Sequence, residues 1–229
     1  MEPKQADRFV QHAVLLTVTT GMIEAVSLLA LGPVFTAMQT GDVLFLAFGA
    51  VGEGGLSLSA PVASLSAFAV GTAVGARMET RLQSHRHRWF RLALAVEAGL
   101  ICVAALTAWD LPRSGGVPTA RHVAATAVLA LAMGIRGVTA MRVAVPDVPT
   151  TLVTRTMTAM IGGSVVGHDA ALGYGKRAGL RRVASILAMF AGGVIGALLL
   201  RAGRSATVVL FAAAAMVVAV AVLHLTRTR

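Results

Sequence analysis

Cysteine and charge are what this chain has least of. Cys102 is the only cysteine and lies inside an apolar run, which excludes an intramolecular disulfide and a thiolate metal site. Charged residues make up 13% of the chain, against about 25% in ordinary soluble domains. No nucleophile–base pair, metal-ligand cluster or cofactor motif appears, and the short loops leave no room for a sizeable catalytic domain, so an enzyme is not expected. What remains is apolar: 56% of the 229 residues are hydrophobic and the mean hydropathy is +0.78. Those values describe an integral membrane protein. The formal charge of +10 could suggest a nucleic-acid partner. Most basic residues, however, sit in short loops between apolar runs, where orientation signals belong. The expected partner is the lipid bilayer and not a nucleic acid.

Apolar runs predict helices over 11–32, 61–80, 90–109, 121–143, 183–201 and 205–226. Each is near the roughly 20 residues that a hydrocarbon core of about 30 Å requires. The opening stretch has a polar lead and an apolar run interrupted by Glu24, without a small-residue cleavage site, and is read as a retained first helix. Two shorter segments, 34–51 and 149–165, are left over. They begin with "VFTAMQTGDVLF" and "VPTTLVTRTMTA".

Positive charge decides how these segments sit, because Lys and Arg in short loops favour the cytoplasm. Four basic groups punctuate the chain: Lys4 and Arg8; Arg77, Arg81, Arg86, Arg88 and Arg91; Lys176, Arg177, Arg181 and Arg182; Arg227 and Arg229. If the two segments enter and leave by the same face, six crossings put every group inside, with both termini cytoplasmic. Only Arg113, Arg121, Arg201 and Arg204 are then outside. A tilted short span beside an interfacial segment is the rival arrangement.

The two halves echo each other. Thr36 aligns with Thr150 and Thr40 with Thr154 at an offset of 114, and "GMIEAV" from Gly21 faces "GIRGVT" from Gly134 at 113. "FAVGTAVGA" and "MFAGGVIGA" match Gly71 and Gly75 with Gly192 and Gly196. The expected fold is therefore an all-α membrane domain over 1–229. It holds six transmembrane helices in two three-helix repeats, about 10–110 and 121–226, each with a Thr-containing re-entrant or half-spanning segment. Three crossings per repeat is odd, so the second copy is inverted, as in many transporters.

"GMIEAVSLLALGPVFTAMQTGDVLFLAFG" and "LAMGIRGVTAMRVAVPDVPTTLVTRTMT" together resemble the YoaK family of bacterial multi-pass membrane proteins, whose function is uncharacterised. The resemblance covers nearly the whole chain and implies a cell (inner) membrane location. That family usually has Gly-x-x-Asp-Ala and Met-Thr-Gly-Asn in the first copy, then Gln-Asn and Val-Thr-Gly-Thr in the second. Here Glu24, Gln39-Thr40-Gly41-Asp42, Arg136-Gly137 and Val153-Thr154-Arg155-Thr156 stand at those places, adding charge.

Among single residues, Thr17, Thr20, Gly21, Glu24 and Ser27 form a polar stripe on the first helix that should avoid lipid. Glu24 is a proton or cation carrier or a structural, hydrogen-bonded carboxyl, since an unpartnered charge in hydrocarbon costs a few kcal/mol or more. The pairs Thr36/Thr40 and Thr150/Thr154 would share helix faces, where their hydroxyls could hold a solute or cation or bond to backbone and neighbouring helices. Asp42 and Arg155 occupy nearly equivalent positions and could pair; alternatively Asp42 lines a vestibule and Arg155 attracts an anion. Arg136 could offset Glu24 or hold an anion, Glu97 is a proton site or an interfacial carboxyl, and Arg142 suits a snorkelling anchor. Gly71, Gly75, Gly192 and Gly196 suit close helix packing. His85 and His87 lie among arginines and read as a solvated loop, not a metal site.

Two functions fit. The first is a small-solute or ion permease with a midplane site formed by the two Thr segments, its substrate unspecified and without a cofactor. The second is a noncatalytic membrane scaffold or accessory subunit. Gly faces are compatible with a homo-oligomer as well as with packing inside one chain.

Overall fold

In lipid every backbone N–H and C=O must find its partner within the protein, and a helix provides those partners locally. The computed structural model describes residues 3–82, 86–115, 117–143, 153–164, 167–169 and 176–226, and all regular structure among them is helical. In chain order the helices are α1 (Pro3–Val26), α2 (Gln39–Ala50), α3 (Ser59–Leu82), α4 (Arg86–Thr107), α5 (Ala120–Val143), α6 (Val153–Gly162), α7 (Lys176–Arg201) and α8 (Ala206–Thr226). A wider π-helical turn, Ser27–Leu31, carries α1 on without interruption.

Six of these are long and apolar enough to cross a membrane, over Val10–Leu31, Ser59–Arg81, Trp89–Thr107, Ala120–Arg142, Ala178–Arg201 and Ala206–His224. They overlie the six runs expected from the sequence. α2 and α6, at 12 and 10 residues, reach only about 18 and 15 Å, roughly half the hydrocarbon thickness.

α3 packs along α5 and α1 along α7, while α4 lies against both α5 and α8, and α8 also against α1. Each short helix leans on the long helix that follows it, α2 on α3 and α6 on α7. α1 is the most enclosed, with 72% of its apolar window buried against 28% for α3 and for α7. The outward faces of α3 and α7 carry Val70, Val74, Leu187, Phe190 and Leu198, all exposed and apolar as a lipid-facing surface should be. Inside, Leu94 and Ile101 of α4 meet Val209, Leu210 and Val217 of α8 and Ile23 and Val26 of α1 in one continuous core.

Apolar burial does little to hold helices together in lipid, so close backbone approach matters more. Two glycine seams supply it. A Cβ on Gly71 would overlap the Leu131 carbonyl oxygen of α5, and one on Gly134 would overlap that of Phe68 in α3. In the other pair of helices, a Cβ on Gly192 would overlap the Val18 carbonyl and one on Gly21 that of Met189. Gly75 and Gly196 continue the seams, their added Cβ atoms falling 3.2 Å from Ile135 Cα and 2.8 Å from Ala25 Cβ.

Candidate functional site

The chain stops being helical after Leu31 for a local reason. Gly32 has φ 147° and ψ 171°, a conformation almost confined to glycine, and Pro33 follows with no N–H to continue the ladder. Residues 32–38 then form an irregular stretch between α1 and α2, and its backbone groups find partners one by one.

The Gly32 N–H donates to Ser27 O at 3.1 Å and that of Val34 to Gly32 O at 2.7 Å. Ser27 Oγ donates to Val34 O at 2.9 Å, Ser64 Oγ of α3 to Phe35 O at 2.6 Å, and Gln39 Nε2 to Thr36 O at 2.9 Å. The N–H groups of Phe35, Thr36 and Ala37 and the Thr36 hydroxyl go to two carboxylates. Phe35 N–H reaches Asp42 Oδ1 at 2.8 Å. Glu24 Oε1 accepts from Thr36 N at 3.0 Å, Thr36 Oγ1 at 2.8 Å and Ala37 N at 2.7 Å. Glu24, Thr36 and Asp42 are all buried.

These bonds reveal the path of the chain. α1 and its π turn run seven residues beyond Glu24, a rise of about 10 Å, yet Thr36 and Ala37 bond to Glu24 itself. The stretch after Gly32 therefore doubles back alongside α1 before α2 begins. α2 then ends near the start of α3, where an added Cβ on Gly49 would lie 3.1 Å from Leu56 O.

A second buried polar cluster joins three of the long helices. Arg136 of α5, 1% exposed, donates from Nε to Glu97 Oε1 of α4 at 2.8 Å and makes a second, shorter contact to that oxygen from Nη2. Its Nη1 donates to Thr20 Oγ1 at 2.7 Å and to Leu16 O at 3.0 Å, so the guanidinium joins α1, α4 and α5. Nearer the ends of α3 and α5, Arg142 Nε meets Glu79 Oε2 at 3.0 Å.

Several expectations change here. Thr36 and Thr40 do not share a helix face: Thr36 precedes α2, its hydroxyl is spent on Glu24, and Thr40 is exposed. Arg136 is offset by Glu97 and not by Glu24, and Glu97 is enclosed instead of interfacial. Among the described residues no ion pair joins Asp42 to Arg155, which is exposed on α6 beside the exposed Thr154. Thr150 and His85 lie outside the described residues. Sequence reasoning missed Ser64, one of several serines in a small-residue stretch, whose part in the break depends on a contact 29 residues away.

Residues 12–223 match the family described as "Protein of unknown function (DUF1275)", and the chain belongs to that family. No curated protein and no solved structure matches it.

Proposed function

From a family whose chemistry is unassigned, we propose that the chain is a small membrane permease for an inorganic ion or small polar solute. We read it as YoaK-like, in the cell membrane, with both termini cytoplasmic. The observation that carries the proposal is the irregular stretch beside Glu24. Non-helical backbone at membrane depth is tolerated only where protein encloses it or where it lines a polar cavity, and broken helices of this kind are how transporters present polar groups midway across the bilayer.

Two features support an inverted pair of repeats. Exchanging α1–α4 with α5–α8 turns the α3/α5 seam into the α7/α1 seam, α4/α5 into α8/α1 and α2/α3 into α6/α7. The seams also correspond residue by residue: Gly71 against Leu131 matches Gly192 against Val18, and Gly134 against Phe68 matches Gly21 against Met189. α2 and α6 are the re-entrant or half-spanning segments of this reading, with Thr40 and Thr154 facing the pathway.

The test is flux. Proteoliposomes and protein-free vesicles are compared over a panel of radiolabelled inorganic ions and small polar solutes, followed by Thr40→Val and Thr154→Val. The permease is supported by saturable flux that either variant reduces while the protein still inserts and unfolds normally. No flux across the panel favours the scaffold, and protein-dependent flux unchanged in both variants places the pathway away from Thr40 and Thr154. Sided labelling of Glu53→Cys and Ser84→Cys in a Cys102→Ser background checks the inversion, which requires the first to react from outside and the second only after permeabilisation.

A further inference from the structure

The other two buried carboxylates with described ionic partners each meet an arginine: Glu97 meets Arg136 and Glu79 meets Arg142. The carboxylates at the helix break differ, since no ion pair among the described residues reaches either Glu24 or Asp42. Glu24 is compensated by three donors on Oε1, with Thr36 N also 3.3 Å from Oε2. Asp42 is not. Its Oδ1 takes one N–H, from Phe35, and its Oδ2 is buried with no donor. Ser64 is the adjacent hydroxyl, but its single proton goes to Phe35 O at 2.6 Å. An unpartnered carboxylate oxygen inside protein at membrane depth is costly enough that something positive should meet it.

A second acceptor lies on the same helical face. Gln39, one turn before Asp42, directs Nε2 to Thr36 O and, at 3.4 Å, to Ser64 Oγ, leaving Oε1 buried and also without a donor. Phe35 O and Thr36 O, freed from helical bonding by the break, each accept one side-chain donor and retain a second lone pair.

We propose that Asp42 Oδ2 and Gln39 Oε1, with the carbonyl oxygens of Phe35 and Thr36, bind one small monovalent cation of the sodium type. The donor set is all oxygen, which suits a hard cation and not a transition metal. It contains one uncommitted carboxylate, so a single positive charge neutralises it. The positive end of α2 opposes a cation here, but a helix terminus carries only about half an elementary charge, against the full charge of the Asp42 carboxylate. The site takes from the permease reading only its location: binding needs no flux and flux needs no bound cation, so the two fail separately.

The experiment is thermal unfolding of the purified full chain in detergent, titrating sodium chloride against choline chloride at constant ionic strength, with equilibrium binding of radiolabelled sodium alongside. A saturable rise in Tm with sodium, not matched by choline, and binding near one ion per chain are expected. Asp42→Asn should abolish both responses. Gln39→Met keeps the carboxylate and should weaken sodium binding by about tenfold or more, because oxygen ligands set affinity for hard cations; it also serves if Asp42→Asn does not fold. Equal stabilisation by choline, no sodium binding, or unchanged binding in Gln39→Met overturns the proposal. So does a Tm that follows pH alone in choline and is indifferent to sodium, since the Asp42 carboxyl then carries only a proton.

Discussion

Residues 24–42 and residues 137–155 stand at corresponding places in the two halves, yet the two acidic side chains that hold the first, Glu24 and Asp42, have no acidic counterpart at the aligned positions of the second. Where the first half has Glu24 the second has Gly137, and where the first has Asp42 in the opening turn of α2 the second has Arg155 or Thr156 in that of α6. Glu24 gathers Thr36 and Ala37 to α1, whereas Gly137 has no side chain with which to do so. The glycine seams behave in the opposite way, repeating from one half to the other. Packing backbone against backbone needs only absent side chains, and duplication preserves that easily. Tying down a broken helix needs a particular acceptor at a particular place, and here the halves have parted.

The largest effect that could break this comparison comes from the acceptor itself. Glu24→Ala leaves two buried N–H groups and a hydroxyl without a partner, at about 1–3 kcal/mol each, and should cost several kcal/mol of stability. Gly137→Ala should be nearly silent, because its Cβ would lie 3.8 Å from Phe68 Cζ, an ordinary contact. Equal loss of Tm in the two variants would mean that the second half is held at this position as firmly as the first.

Arg136 has no charged counterpart in the first half, where Ile23 stands at its aligned position. Arg136→Met strands Glu97 and should cost about 3–5 kcal/mol. Adding Glu97→Leu should restore much of that, since a buried pair contributes little net stability once both charges are gone. A double variant no more stable than the single one would show that the pair holds more than its own charges.

The seams should give smaller and matched effects. Gly71→Ala and Gly192→Ala each force a methyl onto a facing backbone and should cost about 1–3 kcal/mol. Gly99→Ala, with nothing within 4 Å, should be neutral or stabilising by up to about 1 kcal/mol. Chemical or thermal unfolding in detergent ranks all three, and a large difference between the two seam variants would end the case for equivalent halves.

The smallest effects belong to the exposed threonines. Thr40→Val and Thr154→Val should each change stability by no more than about 0.5 kcal/mol. That makes them clean probes of flux, and a Tm shift well beyond that range would mean they are packed against something after all.

Much of this was legible in the residues. Six apolar runs of spanning length became six helices of spanning length, and the paired glycines at four-residue spacing lie where helices touch, because hydropathy and side-chain absence act locally or on one helix face. Glu24 and Arg136 also stood out, since a charge inside an apolar run demands a partner. Which partner was not legible. Spacing suggested that Thr36 belonged to a helix with Thr40, and Gly32-Pro33 had to break the chain and turn it back before Thr36 could reach Glu24.

Sequence alone therefore determined the class of protein, the number of its long helices and the glycines available for contact, since each follows from local solvent preference or from a missing side chain. Only the tertiary structure decided which acceptor each buried donor meets. Glu97 lies 39 residues from Arg136, and Ser64 lies 29 from Phe35. Such pairings depend on how far each helix is rotated and where the chain turns back, and no periodicity along a single helix carries that information.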